Sequence, residues 1–127
     1  MKTIKNMGPK IAAQQRKRII AIDFDGTITY WQPYPAQGKL NPEAEEFIWK
    51  LHSKGYKVVL WTGRVGESYR LAKKQCREWG LPIEFDSRKL LHGATGKLLA
   101  NFYIDDKSFL GDIDWQKLYE YIVNNVQ

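Results

Sequence analysis

Two short runs, IIAIDF at 19–24 and KVVLW at 57–61, are apolar at consecutive rather than alternate positions. A strand that buries one face alternates apolar and polar residues, so uninterrupted runs belong to strands covered on both faces, as in parallel sheets. PIEF at 82–85 and NFYID at 101–105 read as two further, shorter strands. Between these runs lie helices with legible ends. Asn41 serves as an N-cap, Pro42 suits the first helical position, and Glu43, Glu45 and Glu46 load the first turns. Ala44, Phe47, Ile48 and Leu51 then follow the i, i+3, i+4, i+7 spacing, and Gly55 is the stop. A second helix is expected from about Glu67 to Trp79, closed by Gly80, with Ala72, Cys76 and Trp79 inward. A third starts at a capping Asp114 and repeats Trp115, Leu118, Tyr119 and Ile122 at helical spacing. Strand, helix, strand, helix, strand, strand, helix predicts right-handed crossovers and a doubly wound, Rossmann-like parallel α/β sheet with flanking helices.

Such a sheet gathers ligands outside the carboxyl ends of its strands. Asp23 and Asp25, Thr62, and Asp105 and Asp106 each follow a predicted strand, so one topology brings three polar groups to one edge. Two ionised carboxylates about 5.5 Å apart repel by roughly 3 kcal/mol at an effective dielectric near 20. Four in one pocket call for a hard cation, and carboxylates with few other ligands suit magnesium, which keeps waters and often holds a substrate phosphate as well. The all-oxygen set disfavours zinc, and His52 and His92 lie far from any metal-ligand spacing. A single Asp-x-Asp pair followed by glycine also reads as a plain turn. That reading loses ground once a second acidic pair follows another strand.

The 127 residues suit one domain, and 43% hydrophobic with 27% charged residues is a globular composition. The net charge of +6 is local. Lys2, Lys5, Lys10, Arg16, Lys17 and Arg18 stand in a stretch without acids, and the remaining 14 basic residues match the 14 acids. Residues 1–17 are therefore read as a basic tail and 18–127 as the folded domain. The tail attracts polyanions nonspecifically, which allows weak nucleic-acid contact; a solvated, frayed terminus is the simpler reading. It lacks a secretory apolar core, no run approaches the roughly 18 apolar residues of a membrane span, and Cys76 has no partner for a disulfide. A cytoplasmic protein without membrane contact is expected.

DFDGT (23–27), LWTGR (60–64), a lysine in GATGKLLA (93–100) and YIDD (103–106) resemble, in order and each at a strand end, the four motifs of the haloacid dehalogenase-like hydrolase superfamily. The resemblance spans nearly the whole chain after the tail. It implies a magnesium-dependent phosphohydrolase that passes through an aspartyl-phosphate. Asp23 would be the nucleophile and Asp25 the acid/base, its main-chain carbonyl also ligating the metal. Asp105 would bind magnesium with Asp23, and Asp106 directly or through water. Thr62 and Lys97 would hold the phosphoryl oxygens, with Lys89 as the other candidate lysine. Gly26, Thr27, Gly63 and Arg64 would line the phosphate site, Arg64 being either a phosphate ligand or a surface arginine. A receiver domain uses similar parts, but with its acidic pair first in the chain rather than last. Between Thr27 and Asn41 there is room only for a loop, and the segment from Thr62 to Lys97 is used by a helix, a strand and a connection, so the chain looks like a capless member with an open site. The substrate is then a phosphorylated small molecule or macromolecule, and the oligomeric state is open. A nucleotide or nucleic-acid-end phosphatase and a phosphate-binding module without turnover are the other readings. Tyr30, Trp31 and Tyr34 either stack a substrate ring at the mouth of the site or pin their own loop. The connection at 86–96 is either a substrate loop or a plain linker, and Cys76 is read as a small core residue.

Overall fold

The computed structural model describes residues 18–33, 36, 38–85, 100–105 and 112–126. The basic tail, Tyr34, Lys89, Lys97, Asp106 and the 86–96 connection lie outside the described residues. Three parallel strands, β1 (Ile19–Ile22), β2 (Lys57–Leu60) and β3 (Phe102–Ile104), form a sheet in the order β2-β1-β3. The register is Ile22 against Leu60 on one side and Ile22 against Ile104 on the other, so the three strands end level with one another. A parallel bridge between Val59 and Glu84 extends the sheet beyond β2.

Helix α1 (Pro42–Ser53) links β1 to β2, α2 (Gly66–Glu78) follows β2, and α3 (Trp115–Asn125) follows β3. Their ends are those the sequence marks. The Asn41 side chain accepts from the Glu43 N–H, Pro42 opens α1, and Asp114 accepts from the Lys117 N–H at the start of α3. Each cap satisfies a donor that the helix itself leaves without a partner. Alternate strand residues Ile20, Ile22, Val58, Leu60 and Ile104 pack with Phe47, Ile48 and Leu51 of α1, Ala72 and Cys76 of α2, and Leu118 and Ile122 of α3 in one core. Each such fully buried aliphatic side chain stabilises the fold by about 1.5–3 kcal/mol over its exposed state. The helix pair α1 and α3 is joined by Phe47 against Trp115, ring centroids 5.0 Å apart, and the Tyr56 hydroxyl donates to the carbonyl of Val126 at the end of α3.

Two strands are shorter than their apolar runs. β1 stops at Ile22 because the next amide but one, that of Phe24, donates to the Asp23 side chain and the chain leaves the ladder. The 82–85 run contributes a single bridged residue, Glu84, whose N–H donates to Val58 and whose carbonyl accepts from Leu60. Pro82 has no N–H to extend that ladder. After the β1 turn, Thr29 pairs antiparallel with Leu40, and the Tyr30 N–H donates to Lys39 at 3.0 Å. The excursion between strand and helix is thereby closed at its base, and its described residues form no cap. Gly38 is required at its base: a Cβ there would lie 1.8 Å from the Tyr30 carbonyl oxygen. Among the described residues no helix is long and apolar enough to cross a membrane.

Candidate active site

The C-terminal edge of the sheet is where the backbone stops being regular. Over Phe24–Ile28 the chain makes a wide turn in which Asp25 is extended and Gly26 takes φ +77°, a value a side chain disfavours. The Phe24 carbonyl closes the turn by accepting from the Thr29 N–H at 3.1 Å and its hydroxyl at 3.3 Å. Phe24 is fully buried and stacks on Trp79 at 6.3 Å, so the aspartates on either side of it stand on a packed base.

Asp23 is half-buried at the tip of the central strand, its N–H donating to the Ile104 carbonyl at 2.8 Å and its Oδ1 accepting from the Phe24 N–H at 2.8 Å. Asp105 follows Ile104 on the neighbouring strand and is half-buried too. With strands about 4.8 Å apart, the two carboxylates leave adjacent strand ends side by side. On the other flank the Trp61 N–H donates to the Ile22 carbonyl at 2.8 Å, which sets Thr62 just beyond Asp23. The Thr62 hydroxyl oxygen accepts from the Arg64 N–H at 3.2 Å, and its own proton remains a donor for a ligand. Gly63 is exposed and no atom crowds the position of its missing side chain.

Asp25 and Arg64, far apart in the chain, form a bidentate pair: Nε to Oδ2 at 2.8 Å and Nη2 to Oδ1 at 2.6 Å. The Arg64 side chain is only 14% exposed, lies 4.9 Å over the Phe24 ring and donates through Nη1 to the Ser68 carbonyl at 3.2 Å. It is thus held inside the site and not on the surface. Thr27 is 1% exposed, and its hydroxyl has no hydrogen-bond partner among the described residues. Any ligand contact from Thr27 would come from its main chain. Beside the turn opens a cavity of about 490 Å³ lined by Gly26, Tyr30, Trp31, Asn41, Glu43 and Asp112, among others. Tyr30 and Trp31 are 53% and 65% exposed there, so neither is consumed in pinning its own loop. Cys76, by contrast, is fully buried, and burial pushes its thiol up to about 12, as befits a core residue and not a nucleophile.

Asp23 and Asp105 offer two hard oxygen donors at adjacent strand ends, a set that fits magnesium, which is commonly held by one or two carboxylates plus waters. Among the described residues no three acidic, histidine or cysteine side chains converge as a fuller metal cluster; Asp106 lies outside them. The edge-to-face contact of Trp61 with Tyr103, at 4.9 Å, and the acidic lining of the cavity by Glu43 and Asp112 were not readable from motif spacing.

A model of the haloacid dehalogenase-like hydrolases matches residues 20–109, from the first residues of β1 past the acidic pair after β3. A solved structure of a conserved protein from Bacteroides thetaiotaomicron is similar in fold and sequence, with a TM-score of 0.70 and 33% identity over 86% of this chain and 92% of that one. Among curated proteins there is no match.

Proposed function

The chain belongs to the haloacid dehalogenase-like hydrolase family, and from that membership we propose a magnesium-dependent phosphohydrolase that cleaves a phosphomonoester through an aspartyl-phosphate on Asp23. The observation that carries the reading is the level ending of three parallel strands, with Asp23 between Thr62 and Asp105. Asp23 attacks phosphorus as the bond to the leaving oxygen breaks, and Asp25 gives that oxygen a proton. Asp25 then takes a proton from water, which attacks the phosphorus of the aspartyl-phosphate and frees inorganic phosphate and Asp23. The Phe24 amide fixes the plane of the Asp23 carboxylate. The Thr62 hydroxyl donates to a phosphoryl oxygen, and Lys97, or Lys89, would do the same. Asp23 and Asp105 would hold magnesium with Asp106 and the Asp25 carbonyl, and the bound ion would offset charge between nucleophile and phosphoryl oxygens.

The cavity at Gly26, Tyr30 and Trp31 suits the leaving group. Exposed aromatic faces at its wall favour a second, narrower reading, a nucleotide or nucleic-acid-end phosphatase, through base stacking. Glu43 and Asp112 on the same wall repel a long polyanion, which favours a small ester over a nucleic-acid end. The test is phosphate release from p-nitrophenyl phosphate, sugar phosphates, nucleotides and phosphorylated oligonucleotides, with magnesium or with excess chelator. Magnesium-dependent turnover that disappears in Asp23→Asn is expected. Equal rates in Asp23→Asn would remove the nucleophile, and no turnover by folded protein would remove the reading.

A further inference from the structure

Arg64 is the one strong cation joined to the proposed acid/base among the described contacts of the site. We propose that Arg64 is the positioning residue of Asp25, a role that rests on the phosphohydrolase reading above. A carboxylate on a short side chain turns about two torsions, and proton transfer to the leaving oxygen needs one orientation. The guanidinium removes that freedom by engaging both oxygens at once, at 2.8 and 2.6 Å. A carboxylate has about four lone-pair sites. The pair uses two; a remaining site carries the proton that passes to the leaving oxygen and then accepts the proton of the attacking water.

Arg64 is itself fixed from three directions. Its plane lies over the buried Phe24 ring, Nη1 donates to the Ser68 carbonyl at the start of α2, and its main-chain N–H donates to Thr62. The same residue therefore ties the β1 turn to the β2 loop, so that acid/base and phosphate-binding hydroxyl keep a constant separation. Lysine cannot substitute, because a single ammonium cannot span both oxygens in a plane.

The experiment compares wild type, Arg64→Lys and Arg64→Ala on the best ester found, with thermal unfolding to establish that each variant is folded. A kcat about 100-fold lower with KM little changed is expected for Arg64→Ala. Arg64→Lys should remain impaired, and added guanidinium ion should restore part of kcat in Arg64→Ala but not in Arg64→Ala combined with Asp25→Asn. A merely structural role would show no such rescue. A rise in KM with kcat unchanged would overturn the proposal and make Arg64 a phosphate ligand; full activity in Arg64→Lys would overturn the bidentate argument on which it stands. Absence of turnover in the wild type would overturn the phosphohydrolase reading and this proposal together, whereas wild-type turnover with unimpaired Arg64→Ala would overturn this proposal alone.

Discussion

Ile20, Ala21 and Ile22 are fully buried and lie in register with strands on both sides, whereas Asp23, Asp25 and Gly26, which follow them, are half-buried and lead the chain into a wide turn. The strand spends its side chains on packing, and the turn directs its polar side chains toward the edge of the sheet. Asp25 is matched by Arg64, which crosses from the loop after β2. The contrast teaches that the rigid element is needed to hold the irregular one: a bent backbone with Gly26 at positive φ persists where the surrounding core determines its position. Phe24 is the joint between the two, belonging to the core by its side chain and to the turn by its backbone.

The comparison is broken most severely by changes that touch only the turn. Asp23→Asn should remove turnover while leaving the unfolding midpoint little changed, since asparagine keeps the size of the side chain and retains an oxygen for the Phe24 amide. Activity and denaturation assays on the same preparation check both halves. Asp25→Asn is expected to lower kcat by about 10²–10⁴-fold, the usual share of a positioned acid/base. Changes that touch only the strand should do the reverse. Ile20→Ala and Ile22→Ala should each lower unfolding free energy by about 2–5 kcal/mol in urea titrations, with kcat near normal in whatever fraction stays folded. A large loss of kcat in fully folded Ile20→Ala would mean that strand and turn are not separable.

Smaller effects sharpen the contrast. Gly38→Ala forces the base of the excursion between β1 and α1 open, because the new Cβ would meet the Tyr30 carbonyl at 1.8 Å. Its consequence should be a raised KM, read in steady-state kinetics, through displacement of Tyr30 and Trp31 at the cavity, with a lesser loss of stability. The smallest effect is that of Cys76. With its thiol pushed up to about 12 in the fold from an ordinary value of 9.0, the unfolded chain releases that proton first. The contribution is intact below pH 9 and is lost progressively as the pH rises from there toward 12. The stability difference between wild type and Cys76→Ala should therefore be flat below that window and shrink within it, and thiol reagents should react only after unfolding.

The helices were legible because their signals are local. Asn41 and Asp114 cap from the side chain, and Phe47, Ile48 and Leu51 lie on one stripe. Strand existence was legible as well, from apolar runs that only burial on both faces explains. Strand ends were not, because β1 is cut short by a hydrogen bond from Phe24 to Asp23 and the 82–85 run by Pro82. In the site, the convergence of Asp23, Thr62 and Asp105 followed from topology alone. The Arg64 partnership did not, since nothing between residues 25 and 64 marks which of a carboxylate and a phosphate a guanidinium will face. The exposure of Trp31 was equally hidden, because a Pro-containing aromatic loop has the same composition folded inward or outward.

The central claim is that Asp23 carries the phosphoryl group between the two half-reactions. It is tested most directly by mixing protein with a turned-over ester and magnesium, quenching in acid, and mapping the peptides by mass spectrometry, with Asp25→Asn used to slow the second half-reaction. The account predicts one added phosphoryl group on the peptide that contains Asp23, increased in Asp25→Asn and missing from Asp23→Asn. Sustained turnover with no phosphorylated peptide, or with the group on another residue, would contradict it.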